Sequence, residues 1–345
     1  MVVVLLEFGP AESSRIHHYL EGKELIHQQL QKVLRRLWQQ EFPSRAIPRH
    51  FDFIWERSDR KVLLYVFADG RSYPVFFGKS SDSHSVAKRL CQEATVLNKL
   101  KQTDQYLAET IPQPVFCATV GNQTILLEKM IHGYPLSNLI KPFSNKVWWR
   151  EAKNHFHWVT EWTIQFHKKA TEEVFQLSSE GWKEFFRERC REFNFKYGVK
   201  IDTHKWEIID AWLGKCDGLR LPKVIDHGDL TPHQILVTKN NYIVIDWELS
   251  PLLGLPGHDL INFFIHYRAL IEKRKRFMER DLKDENITAL FFDKDTRTPF
   301  VDYMRRYFVA MGIHPYFIIP ILYARYPRIH LGEGVCKKMV EVLSV

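Results

Sequence analysis

The chain has few of the residues that staple small folds together. Its five cysteines, Cys91, Cys117, Cys190, Cys216 and Cys336, are odd in number and scattered. They form no CxxC pair and have no histidine beside them at ligand spacing. That argues against a disulfide framework and a zinc site, and favours a reducing, cytoplasmic setting. Glycine and proline are sparse at 16 each, and no repeat or low-complexity tract stands out, so a disordered chain is not expected. The apolar opening "MVVVLLEF" has no basic flank, is too short to span a bilayer and runs into an acid. It reads as a strand and not as a signal peptide. No RNA-binding signature accompanies the aromatic residues, which sets nucleic acid aside as a partner.

What is present is the composition of a folded protein: 345 residues, 45% hydrophobic, 14% aromatic and 26% charged. That length accommodates two lobes. The net charge of +8 suits an anionic partner such as nucleotide phosphates or an acidic membrane surface, or else an inert basic surface.

From Glu12 to about Gln40 apolar residues recur at three-to-four spacing, the pattern of an amphipathic helix. "EFPSRAIPRH" then breaks it, so residues 1–48 read as an N-terminal strand and helix extension. "HFDFIW", "KVLLYVF" and "YPVFFGK" follow as three strands of an antiparallel meander, separated by the polar turns "ERSDR" and "ADGRS". A helix over Val86 to Leu100 and a strand "TILLEKM" complete a small lobe over residues 49–131, with a connector near 130–138. Beyond it, residues 132–345 read as a larger helical lobe with one embedded hairpin. Trp148, Trp149, Trp158, Trp162 and Trp182 there are mostly core. The fold class expected is α+β and bilobal, and a ligand is expected between two such lobes.

Two constellations carry chemistry. In the helix 86–100, Leu90, Glu93, Leu97 and Leu100 share one face, so a carboxylate sits in an apolar stripe and needs a cation. Lys79, closing the strand before that helix, is the nearest one. A lysine on a strand edge and a glutamate reaching solvent would explain the same residues. The second constellation is "VIDHGDLTPHQILV" with "IVIDWE" downstream. Two short strands, Ile235 to Val237 and Tyr242 to Asp246, joined by a polar turn, bring Asp246 beside the loop that carries Asp229 and Gln234. Two carboxylates converging in this way repel unless a metal ion lies between them or hydrogen bonds keep them apart. Phosphoryl transfer supplies a reason for both, one to hold Mg²⁺ and one to orient an attacking hydroxyl and accept its proton.

"HGDLTPHQILV" followed by "IDWE" and "GLPGHDL", with "LLEKMIHG" and the Lys79/Glu93 pair upstream, resembles the aminoglycoside phosphotransferase and choline kinase superfamily. These are small-molecule kinases with a protein-kinase-like fold, and the resemblance spans residues 50 to 265. It implies ATP (or GTP) and Mg²⁺ as cofactors. It further implies Asp229 as the base, Asp246 as the principal metal ligand, and Lys79, held by Glu93, as the phosphate-contacting lysine. The backbone from Lys129 to Ile131 would be the hinge that reads the purine. His227 and Asp259 would brace the catalytic loop.

The chain departs from that family in two places. Gln234 stands where the family usually has an asparagine as second metal ligand, and supplies the same amide oxygen on a stem longer by one methylene. The turn "ERSDR" has no glycine, leaving Ser58 as a phosphate donor. The basic stretches "EKRKRFMER", "MRRYF" and "YARYPR" argue for a neutral or anionic hydroxyl acceptor and against a polycation. Such an acceptor is a small molecule, a glycan or a glycolipid head group at an anionic membrane. A nucleotide-binding pseudokinase and a kinase for macrolide-type antibiotics are the alternatives.

Overall fold

The computed structural model describes residues 10–58, 61–140, 148–171, 173–197, 203–250, 254–272, 284–292, 297–326 and 329–344. The stretch "MVVVLLEF", read as a strand, lies outside them, as does most of "EKRKRFMER". By its contacts the chain divides into two compact units, Met1–Asn98 with Pro112–His132, and Lys99–Ile111 with Gly133–Val345.

In the first unit, helix α1 (Pro10–Glu41) precedes strands β1 (Phe51–Ser58), β2 (Lys61–Ala68) and β3 (Phe76–Ser81). Helix α2 (His84–Thr103) and, after α3 (Gln105–Glu109) of the second unit, strands β4 (Pro114–Val120) and β5 (Gln123–Lys129) follow. The strands form one antiparallel sheet in the order β1-β2-β3-β5-β4. Because side chains alternate across a strand, β5 sends Ile125 and Leu127 to one face and Leu126 to the other. Ile125 and Leu127 share a core with Phe51, Leu64, Val66 and Phe76 of the sheet and Leu30, Leu34, Leu37 and Trp38 of α1. Leu126 packs instead with Val86, Leu90 and Ala94 of α2. Both faces of the sheet are therefore covered, which is why "TILLEK" is a continuous apolar run rather than an alternating one. Helix α1, which its sequence pattern alone left without a role, forms one wall of the core.

The strand pattern needs two adjustments. β1 runs on to Ser58, through the first half of the stretch taken for a turn, because Ser58 pairs with Lys61 across a two-residue connection. β3 begins at Phe76 rather than Tyr73. Strand β4 was not anticipated: "PVFCATV" mixes polar and apolar residues without alternation.

The second unit contains α3, a sheet of β6 (Tyr134–Pro135), β9 (Ile235–Val237) and β10 (Tyr242–Val244), and the pair β7 (Val174–Gln176) and β8 (Arg220–Pro222). Around them are α4 (Trp148–Ala170), α5 (Ser179–Tyr197), α6 (Thr203–Leu213), α7 (His258–Ile271), α8 (Asp284–Phe292), α9 (Arg297–Met311), α10 (Ile318–Arg325) and α11 (Glu333–Ser344). Trp162 and Trp182 are fully buried and belong to the core, while Trp158 is half-buried. Trp162 Nε1 donates to Thr110 Oγ1 at 2.9 Å, and Val244 N to Thr110 O at 2.8 Å, which seats the β9-β10 hairpin beside α4. The architecture is α+β, a five-stranded antiparallel sheet with helices and a mainly helical unit with one embedded hairpin, as the sequence predicts.

Candidate active site

In the first unit, strand register decides which residue meets Glu93. Lys79 pairs with Leu126 across β3 and β5, and paired residues project from the same face. That is the α2 face, so Lys79 points at the apolar stripe in which Glu93 is set. Lys79 Nζ lies 2.7 Å from Glu93 Oε1, with the two side chains only 7% and 0% exposed. Neither charge would be tolerated there without the other. At the end of β5, Lys129 N donates to Gln113 O at 2.9 Å and Met130 N to Val75 O at 3.0 Å. The amide donors of Lys129 and Met130 are thus used inside the unit, and Lys129 Nζ pairs with Glu41 at 2.5 Å. Ser58 ends β1, half-buried.

In the second unit, Asp229, Gln234 and Asp246 are half-buried, within reach of solvent. His227 ties their loops together. Its Nε2 is 2.8 Å from Ile245 O, so that nitrogen carries the proton and donates it. Nδ1 is then an acceptor, and Asp229 N donates to it at 3.3 Å. Ile245 N in turn donates to Gln234 O at 2.8 Å. One imidazole and one amide bond therefore bring the residue before Asp246 against both Asp229 and Gln234. Trp247 packs edge-on against His227, ring centroids 4.7 Å apart. Asp246 itself has φ 68° and ψ 63°, and among the described residues no other non-glycine has a positive φ. Such a conformation costs roughly 1–3 kcal/mol, and strain of this kind clusters at functional sites.

Below the loop lies a buried polar cluster that sequence reasoning missed except for Asp259. Asp259 accepts from His227 N at 2.6 Å and from Gly228 N at 3.0 Å, bracing the backbone ahead of Asp229. Asp226 accepts from Leu255 N at 2.7 Å. A Cβ on Gly254 would stand 2.2 Å from Asp226 Cγ, so the glycine in "LLGLPGHDL" is required by close approach. Arg325 donates through Nε to His258 Nε2 and through Nη2 to Gly228 O at 3.1 Å. His258 Nδ1 lies 3.6 Å from Asp226 Oδ2, and His167 Nε2 3.7 Å from Asp226 Oδ1. His167, Asp226 and Asp259 could each turn one ligand atom to a shared metal ion. Asp226 stood next to His227 in the sequence as a clue. His167 and Arg325, remote in the chain, left none.

The cluster makes stability depend on pH with opposing signs. Burial pushes Asp226 well above the usual carboxylate range, and the nearby Asp259 adds to this. The unfolded chain ionises Asp226 from about pH 3.9 while the folded chain keeps the proton, so its contribution to stability falls as pH rises. Burial pushes His167 down to about 3. The unfolded histidine takes a proton below about pH 6.5 and the folded one does not, so this contribution falls as pH drops. Between pH 5 and 7 the two slopes oppose. Asp226→Asn keeps an oxygen for Leu255 N and removes one slope. The variant is expected to lose more stability than the parent on going from pH 7 to pH 5. Urea unfolding midpoints at the two pH values check it; equal losses in parent and variant would refute the assignment.

Three arginines of the stretches that suggested an anionic acceptor have structural partners. Arg305 donates to Val342 O at 2.5 Å, Arg306 pairs with Glu161 at 2.7 Å, and Arg325 holds Gly228. Among the described residues, no single helix is long and apolar enough to cross a membrane.

No curated protein matches the chain. Among solved structures it is similar to a choline kinase of Cryptosporidium parvum Iowa II, at 14% identity over 91% of this chain and 94% of that one, with a TM-score of 0.45. It is also similar to a choline kinase of Streptococcus pneumoniae (11%; 91% and 98%; TM-score 0.38). A third is an aminoglycoside phosphotransferase of Streptomyces rimosus (13%; 84% and 91%; TM-score 0.39). The defining pattern of the phosphotransferase enzyme family matches residues 15–290, a span that takes in most of α1, the Lys79/Glu93 pair, the Asp229 loop and Asp246, and the chain belongs to that family.

Proposed function

We propose that the protein is an ATP- and Mg²⁺-dependent O-phosphotransferase that acts on a hydroxyl of a small molecule or glycan. The observation that carries this reading is the left-handed, strained Asp246, held against the Asp229 loop through His227 and Ile245. Asp229 orients the acceptor hydroxyl and takes its proton as the new O–P bond forms and the bond to the nucleoside diphosphate breaks. Lys79, aimed by Glu93, contacts phosphate oxygens, and Ser58 donates to a phosphate. With Lys129 N and Met130 N engaged within the unit, the backbone from Lys129 to Ile131 would meet the purine through its carbonyl oxygens and Ile131 N.

Mg²⁺ takes oxygen ligands, one or two of them carboxylate. Asp246 and the amide oxygen of Gln234 meet that requirement and would hold it. When bound, the cation neutralises charge on the phosphate oxygens. His227 is a positioning residue here, since both of its nitrogens are occupied by backbone groups. With Arg305, Arg306 and Arg325 engaged internally, the case for a neutral or anionic acceptor rests on the net charge of +8. A cytoplasmic setting, with peripheral contact to an anionic membrane for a glycolipid acceptor, is part of the same proposal.

A screen of phosphate transfer from ATP across sugars, amino alcohols and antibiotics tests the reading. Transfer to at least one hydroxyl class is expected, together with a rise in melting temperature on adding Mg²⁺-ATP. Neither effect in the parent protein would sink it, and a thermal shift without turnover would favour the pseudokinase that Gln234 suggests. For Gln234 itself, Gln234→Asn should keep or raise activity. Gln234→Ala should lose at least about tenfold, roughly 1.4 kcal/mol in barrier. An Ala variant at full rate removes Gln234 from the site.

A further inference from the structure

Three side chains stand in one row across the sheet. Lys79 of β3 is in register with Leu126 of β5, and Leu126 with Cys117 of β4. Paired residues project from one face, and Leu126 packs on Val86, Leu90 and Ala94 of α2, so the whole row faces that helix. Helix α2 meets both ends of the row. Glu93 Oε1 is 2.7 Å from Lys79 Nζ, and Cys91 Sγ is 4.0 Å from Cys117 Sγ. The helix is held by a buried ion pair over β3 and by two free thiols over β4.

We propose that Cys91 and Cys117 are an oxidative modification site, at which hydrogen peroxide joins them in a disulfide that draws α2 toward β4 and loosens the grip of Glu93 on Lys79. The two thiols are unequal, which sets the order of events. Cys91 is exposed and Cys117 is half-buried. Burial, then the neighbouring Cys91 and the Glu93 carboxylate, push the Cys117 thiol up to about 12. Cys91 therefore meets the oxidant. Its thiolate attacks one peroxide oxygen; an S–O bond forms, the O–O bond breaks, and hydroxide leaves. The Cys117 sulfur then attacks the Cys91 sulfenic acid sulfur. An S–S bond forms, the S–O bond breaks, and the departing hydroxide takes up the Cys117 proton as water. In sum, two thiols and one peroxide give a disulfide and two waters, the sulfurs losing the two electrons that the peroxide gains.

A disulfide needs sulfurs about 2.05 Å apart with a restricted torsion, so the pair must close by about 2 Å. Glu93 is two residues from Cys91 on the same helix, and a shift of α2 at Cys91 is carried to it. The same closeness is visible in the influence of the Glu93 charge on Cys117.

The test treats the full chain with hydrogen peroxide, blocks remaining thiols with N-ethylmaleimide and digests it without reductant. A peptide pair linked through Cys91 and Cys117 is expected, lost on dithiothreitol and absent from both Cys91→Ser and Cys117→Ser. In Cys117→Ser, dimedone should trap Cys91 as its sulfenic acid. The activity arm rests on the phosphotransferase reading. Oxidation should lower transfer about tenfold, reversibly with dithiothreitol, and Cys117→Ser should keep its rate under peroxide. Separate alkylation of the two cysteines with no linked peptide overturns the proposal, as does linked protein that transfers as fast as reduced protein. If the reduced protein has no transferase activity, the phosphotransferase reading has failed, and the linked peptide still decides the modification site.

Discussion

Asp229→Asn is expected to lower kcat for phosphate transfer by about 10³-fold, within the 10²–10⁴ that a positioned general base contributes, while leaving the thermal shift on Mg²⁺-nucleotide in place. Asp229 is anchored by its backbone, whose N–H donates to His227 Nδ1, and the loop ahead of it by Asp259. Neither anchor uses the Asp229 carboxylate, so asparagine keeps the shape of the loop and can still orient a hydroxyl. It cannot take the proton. Single-turnover measurements with the best acceptor from the screen, beside a melting curve, separate the outcomes. A loss smaller than about tenfold would assign the proton to another group, and a lost thermal shift would mean that Asp229 holds nucleotide rather than acceptor.

Glu93→Gln is expected to destabilise the first unit by about 3 kcal/mol or more and to reduce transfer. The glutamate is fully buried against an ammonium that is itself 7% exposed, and removing one partner of such a pair leaves an uncompensated charge, at a cost of about 3–5 kcal/mol. Lys79→Met alone should cost a similar amount, because it strands the carboxylate instead. Combining Lys79→Met with Glu93→Gln removes both charges from an apolar surround formed by Leu90, Ala94 and Leu126. The double variant should therefore regain most of the stability lost by either single change, with a coupling well outside the spread of independent sites. Activity should not return with it if Lys79 contacts phosphate as proposed, since its ammonium is gone. The cycle is read by denaturant unfolding and by turnover on the same four proteins. Simple additivity of the two losses would mean that the pair does not act as a unit. Recovered activity in the double variant would remove Lys79 from the chemistry.

Helix α1 was legible because an apolar residue every three or four positions has only one regular way to share a face. The pattern did not say what the face would cover. That was settled when β5 placed Ile125 and Leu127 on the side opposite Leu126, leaving a second sheet face to be buried. The Lys79/Glu93 pair was legible for an energetic reason, a carboxylate in an apolar stripe with a lysine just upstream. Strand β4 was not, because "PVFCATV" alternates poorly and gains its place from β5. The Asp229 loop was readable as a string, but its support was not. Asp226 is held by Leu255 N and approached by His167 and His258, which come from other helices and share no local pattern with it.

The amino-acid order by itself determined where polar groups interrupt apolar runs, and so which carboxylates had to find partners: Glu93 in its stripe, Asp229 and Asp246 around a hairpin. Those are consequences of short-range periodicity and of the cost of burying charge. Tertiary structure alone decided which partners they found. Strand register turned Lys79 and Cys117 to the same face of the sheet. The two nitrogens of His227 joined the Asp229 loop to the strand before Asp246, and packing closed Asp226 over Gly254 and under Arg325. Each of these depends on contacts between segments distant in the chain, set by how apolar faces pack, and no local pattern encodes them.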